Sequence, residues 1–108
     1  MVVEITANEL KEKMEVGERF VLLDVRDKSD YNKERLPGAR HMLIADMNDV
    51  VLSTFDKTLE IVTYSEDYEC PASRIAAEKL ASAGFKTLNY QGSFEDWKEK
   101  GYPTEKRH

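Results

Sequence analysis

The run Leu59-Glu60-Ile61-Val62-Thr63-Tyr64, set off by the polar turn Asp56-Lys57-Thr58, leads through a short connection into a helical stretch from Pro71 to Ala83. No other feature constrains the chain as much. A short apolar, β-branched run suits a strand buried on both faces. Pro71 fits the first helical position, where a missing N–H is not needed, and Gly84 fits the position just past the end. If the sheet is open and parallel, this connection opens at the carboxyl ends of the strands, where such folds place their ligands. It runs from Ser65 to Cys70 and holds the only cysteine of the chain. The helix terminus behind it offers unpaired N–H groups and a partial positive charge. Any chemistry is expected here.

The rest of the chain alternates strand and helix signals. Val2 to Ile5 reads as a strand, and Thr6 with Glu9 three residues on forms a capping box for a helix ended by Gly17. Phe20 to Val25 is almost continuously apolar, as a central parallel strand should be. A short helix is expected within Arg26 to Glu34, a turn at Leu36-Pro37-Gly38-Ala39, and an edge strand at Ala39 to Met42. Apolar residues at Ile44, Met47, Val50, Val51 and Phe55 predict one helix across that stretch. Lys86 to Tyr90 forms the last strand, and Ser93 caps a closing helix ended by Gly101 and Pro103. Tyr31, Phe85, Tyr90 and Trp97 are assigned to the core. Glu105 to His108 reads as a frayed tail. Repeated strand–helix alternation predicts an α/β domain around a mostly parallel sheet, with helices on both faces.

At 108 residues the chain suits a single domain, residues 1–108, with one core. The net charge of −5 comes without a basic stripe, which argues against a nucleic-acid partner. No apolar run approaches a membrane span, and no export signal stands at the N-terminus. One cysteine cannot form an internal disulfide, so a cytoplasmic location is expected. His41 and His108 are the only histidines, and no spaced ligand cluster accompanies Cys70, so neither a metal nor a cofactor is expected.

An ordered series of motifs resembles the rhodanese-like family. It begins with Leu22-Leu23-Asp24-Val25-Arg26, then Tyr31 and Arg35-Leu36-Pro37-Gly38-Ala39. It continues with an Ile-Val-x-Tyr strand, a loop, Ser73, Ala76-Ala77, Gly84-Phe85, Tyr90-x-Gly92 and Trp97. The resemblance implies a five-stranded sheet of order 1-5-4-2-3. It also implies persulfide chemistry, in which a loop cysteine takes sulfane sulfur from a donor and passes it to a thiol or another nucleophile. The partners implied are that donor and acceptor, either of which can be a protein. The usual family nucleophile directly follows the Ile-Val-x-Tyr strand, and here that residue is Ser65. From Ser65 to Ala72 the loop has eight residues, longer than the common one, with Cys70 in its second half. The chain is similar to long-loop members that carry a cysteine at both positions, with the first replaced. The glycine pair usual near the last strand is reduced to Gly92-Ser93.

Ser65 cannot form a persulfide, and as a hydroxyl nucleophile it needs a neighbouring base. A hydroxyl that satisfies backbone groups at the loop base is the expected role. Cys70 is the candidate nucleophile. With Pro71 at the first helical position it falls at the N-cap, where the helix terminus favours a thiolate by about 0.3–1 kcal/mol. Glu66, Asp67 and Glu69 oppose this. A carboxylate about 8 Å away in a water-like dielectric disfavours the anion by about 0.5 kcal/mol, so two or three offset the helix. The loop residues Glu66, Asp67, Tyr68, Glu69, Pro71, Ala72 and Ser73 are expected to shape the site, with Asp24, Arg26 and Arg74 supporting it. Asp24 and Arg26 are read as a structural pair bracing the loop. Anionic donors such as thiosulfate are disfavoured, since three acids precede the first base, Arg74. Two functions stand: sulfur handling through Cys70, or a non-catalytic module for partner binding or redox sensing.

Overall fold

The computed structural model describes residues 2–106. In chain order its elements are β1 (Val2–Glu4), α1 (Ala7–Glu15), β2 (Val21–Asp24), α2 (Lys28–Lys33), β3 (Glu34–Arg35) and β4 (Arg40–His41). A 3-10 turn (Ile44–Asp46), α3 (Asp49–Leu52), β5 (Ile61–Tyr64), α4 (Ala72–Ser82), β6 (Thr87–Asn89), α5 (Ser93–Glu99) and β7 (Glu105–Lys106) follow. The main sheet has the order β1-β6-β5-β2-β4. Every pairing in it is parallel. Numbered over the main-sheet strands alone, this is the expected 1-5-4-2-3.

Period-2 alternation decides which layer each side chain enters. On β2 and β5, Leu22, Val62 and Tyr64 face a cluster with Leu10, Leu36, Tyr90 and Trp97. Val21, Leu23 and Ile61 face the other, with Ala76, Leu80 and Phe85. Both strands are buried throughout, because helices cover both faces. Ala76 and Ala77 are fully buried, and their small size lets α4 lie close to the sheet.

Local signals set several boundaries. Thr6 and Glu9 form the capping box expected for α1. Gly84 follows the last turn of α4 with φ of +96°, the left-handed conformation that glycine accepts without strain.

Four expectations need correction. The stretch from Ile44 to Phe55 is two short turns, because the Asn48 side chain accepts the Val51 N–H at 3.0 Å and starts α3 afresh. Pro71 is the N-cap of α4 in place of its first residue, and its carbonyl accepts the Ile75 N–H at 3.0 Å. Cys70 therefore lies one residue before the cap. Ser93 does not cap α5; it stands inside the first turn with φ of +64°. Glu105 and Lys106 are not frayed, since they form β7, antiparallel to β3. The Trp97 indole N–H donates to the Pro103 carbonyl at 2.7 Å and Thr104 donates to Glu34 at 2.5 Å, which holds this segment down. Arg107 and His108, the rest of that tail, lie outside the described residues.

Candidate active site

β5 ends at Tyr64, and the chain then enters the loop at the carboxyl edge of the sheet. Ser65 is 2% exposed and held on both sides of its backbone. Its N–H donates to Ser93 Oγ at 2.9 Å, and its carbonyl accepts the Phe94 N–H at 3.0 Å. The Glu66 carbonyl accepts the Glu95 N–H at 2.9 Å. The start of the loop thus hangs from the N-terminus of α5, whose free N–H groups need such acceptors.

The far end of the loop is braced separately. Asp67 Oδ1 accepts the N–H groups of Glu69 at 3.1 Å and Cys70 at 3.0 Å, a local turn that short acidic side chains favour. Gln91 Nε2, on the connection after β6, donates to the carbonyls of Tyr68 at 2.5 Å and Cys70 at 3.3 Å. These braces fold the loop back on itself. Cys70 Sγ comes to rest 3.1 Å from Ser65 Oγ. Ser65 was expected to satisfy backbone groups through its hydroxyl; among the described residues that hydroxyl instead meets only the thiol.

Below the loop lies a buried charged network. The fully buried Asp24 carboxylate receives Arg26 Nε at 3.1 Å and Nη2 at 2.8 Å, the Arg26 backbone N–H at 2.9 Å and the Tyr64 hydroxyl at 2.6 Å. Arg26 also donates to the Glu34 carbonyl at 2.6 Å and to Glu66 Oε2 at 3.3 Å. The Phe94 ring lies 4.3 Å from the guanidinium carbon. Burial, then the charge of Asp24 and the hydrogen bond to it, pushes the Tyr64 phenol well above its ordinary range. Burial opposes the charge on Arg26, but its bonds to Asp24 outweigh that and hold the guanidinium above its usual value. Asp24 and Arg26 form a buried ion pair, and Glu66 ties the loop to it.

Arg74 does not reach the loop. It is exposed and pairs with Glu4 at 3.7 Å. Tyr68 and Glu69 are exposed, and Ser73 is fully buried in the first turn of α4. The Ser73 carbonyl accepts the Thr63 hydroxyl at 2.8 Å, while its own hydroxyl has no partner among the described residues. No side chain caps the N–H groups that open α4 behind Cys70. Among the described residues no three His, Cys, Asp or Glu side chains come together to hold a metal ion. No described helix is long and apolar enough to cross a membrane.

Sequence reasoning missed two residues that build this site. Gln91 carries no local signal, because its partners lie more than twenty positions earlier in the chain. Ser93 did carry one: it stands where a second glycine is usual, which points to a backbone of positive φ more than to a cap. What the assembly offers chemically is one thiol at a buried hydroxyl, beside an uncapped helix terminus, with the nearest guanidinium already engaged by two carboxylates.

The sequence matches the rhodanese-like domain family over residues 6–100. It is 31% identical to the sulfurtransferase-named protein YtwF of Bacillus subtilis over 103 residues, covering 93% of this chain and 94% of that one. It is also 31% identical to the thiosulfate sulfurtransferase GlpE of Coxiella burnetii over 80 residues, covering 73% and 72% of the two chains. The crystal structure of BH2092 from Bacillus halodurans superposes with a TM-score of 0.91 at 26% identity, covering 96% of this chain and 77% of that one.

Proposed function

This chain belongs to the rhodanese-like domain family, and we propose that it carries sulfane sulfur as a persulfide on Cys70 and passes it to a thiol acceptor. The observation that carries this reading is the 3.1 Å approach of Cys70 Sγ to Ser65 Oγ. It brings the one thiol of the chain back to the end of β5, beside the open N-terminus of α4.

The chemistry balances without an outside oxidant or reductant. The Cys70 thiolate attacks the outer sulfur of a donor persulfide, forming an Sγ–S bond as the donor S–S bond breaks and the donor thiolate departs. An acceptor thiolate then attacks the outer sulfur on Cys70, and Sγ leaves with the bonding pair. A reducing compartment, such as the cytoplasm, suits a carrier whose thiol must be regenerated.

The relative from Coxiella burnetii is named for thiosulfate, but the charges around this loop favour a different donor. An anion needs uncommitted cations or N–H groups. Here Arg26 is taken by Asp24 and Glu66, and Arg74 by Glu4. Glu66, Asp67 and Glu69 lie on the same loop. A neutral or cationic persulfide, free or on a protein, meets less opposition than thiosulfate.

The test is incubation with the persulfide of a small thiol, and separately with thiosulfate, read by intact mass. A gain of one sulfur atom from the persulfide is expected, with little from thiosulfate, and Cys70→Ser abolishes it. A protein that gains no sulfur from any donor is instead a non-catalytic module for partner binding or redox sensing.

A further inference from the structure

We propose that Ser65 is a positioning residue for sulfur release: its hydroxyl donates to Cys70 Sγ and steadies the thiolate that leaves when the acceptor takes the outer sulfur. This rests on the reading of Cys70 as the sulfur carrier and assigns residue 65 a role within it.

The geometry restricts what the Ser65 hydroxyl can do. The residue is 2% exposed, so little water reaches it. Its N–H and carbonyl are committed to Ser93 and Phe94, and its hydroxyl has Cys70 Sγ at 3.1 Å. Toward a neutral thiol either atom can donate. Toward a thiolate or the inner sulfur of a persulfide only the hydroxyl has a proton to give. Among the described residues, neither arginine that flanks the loop is free to take over that task. Arg26 is bound by Asp24 and Glu66, and Arg74 faces Glu4.

The two half-reactions use this donor differently. In release, the acceptor sulfur bonds to the outer sulfur, the Sγ–S bond breaks and negative charge grows on Sγ. A fixed donor aimed there gains strength toward the transition state. In loading, Sγ begins as the thiolate and loses charge as it attacks. The same hydrogen bond is strongest before the attack and weakens as charge leaves Sγ, so it gives the loading transition state no comparable help. Ser65 therefore speeds release selectively.

The experiment measures the two half-reactions separately, by rapid quench and intact mass, with a small-thiol persulfide as donor and cysteine as acceptor. Ser65→Ala is expected to slow release by about tenfold while loading stays within about threefold. Ser65→Thr, which keeps the hydroxyl, is expected to restore release. Equal slowing of both steps, or release as fast as in the wild type, overturns the proposal. So does a Ser65→Thr protein that melts like the wild type yet fails to restore release. If threonine lowers the melting temperature, the asymmetry in Ser65→Ala decides alone. A wild type that takes up no sulfur at all defeats the carrier reading itself, which is a separate failure from a wild type that loads and a Ser65→Ala protein that delivers normally.

Discussion

Replacing Ser93 by glycine and by alanine separates backbone strain from hydrogen bonding at the point where the loop meets α5. Ser93 is fully buried with φ of +64°. A left-handed backbone costs a residue with a Cβ about 1–2 kcal/mol. Against this, its hydroxyl accepts the Ser65 N–H at 2.9 Å and donates to the Tyr90 carbonyl at 3.1 Å. Losing it leaves a buried N–H without a partner, at about 1–3 kcal/mol. Glycine relieves the strain and loses the bonds, and it adds about 0.5–1 kcal/mol of unfolded-state entropy. Alanine loses the bonds and keeps the strain.

The expected order of stability is therefore serine, then glycine, then alanine, with glycine above alanine by about 0.5–1 kcal/mol. In an ordinary helix that order is reversed, with alanine above glycine by a similar amount. The sign of the difference is the result to read, since the two estimates differ in direction more than in size. Urea unfolding followed by circular dichroism, fitted with a common slope, measures it. Near the melting point the gap amounts to about 2–8 °C for a domain of this size. An alanine variant as stable as the glycine one, or more stable, would refute the assignment of Ser93 to the left-handed region.

Asp24→Asn removes one charge from a buried pair and leaves the Arg26 guanidinium, whose side chain is 4% exposed, without its main counter-ion. The expected loss is about 3–5 kcal/mol by chemical denaturation, and a loss below about 1 kcal/mol would show that Glu66 and the Glu34 carbonyl suffice. Glu34 gives a pH test. The hydrogen bond from Lys98, then that from Thr104, holds its carboxyl below the usual range. A lowered folded value means that this contribution is complete above the unfolded value of about 4.3 and is lost as pH falls through the lower one. The gap in melting temperature between the wild type and Glu34→Gln should thus be open near neutral pH and close in acid; a gap that persists in acid would sink the argument.

How much of this was legible beforehand follows from how local each cause is. The capping box at Thr6 and Glu9, the punctuation at Gly84 and the unbroken apolar runs of β2 and β5 act within a few residues, so a sequence carries them openly. The pairing of β7 with β3 does not, because two residues have no strand propensity to speak of. They are placed by the Trp97–Pro103 and Thr104–Glu34 bonds, which exist only once α5 has docked. Ile44 to Phe55 shows a helical period, yet the side chain of Asn48 competes for the backbone and divides it.

The site shows the same division at higher resolution. That a strand, a loop and a helix would frame Cys70 was readable; where the thiol would point was not. Extra residues after Ser65 could equally have carried Cys70 out toward solvent. Three side chains decide against that: Asp67 turns the chain, Gln91 pins two carbonyls from across the sheet edge, and Ser93 fixes Ser65 beneath. Only the first is local. The lengthened loop thus returns the Cys70 thiol to the end of β5, and the hydroxyl at position 65 is its neighbour.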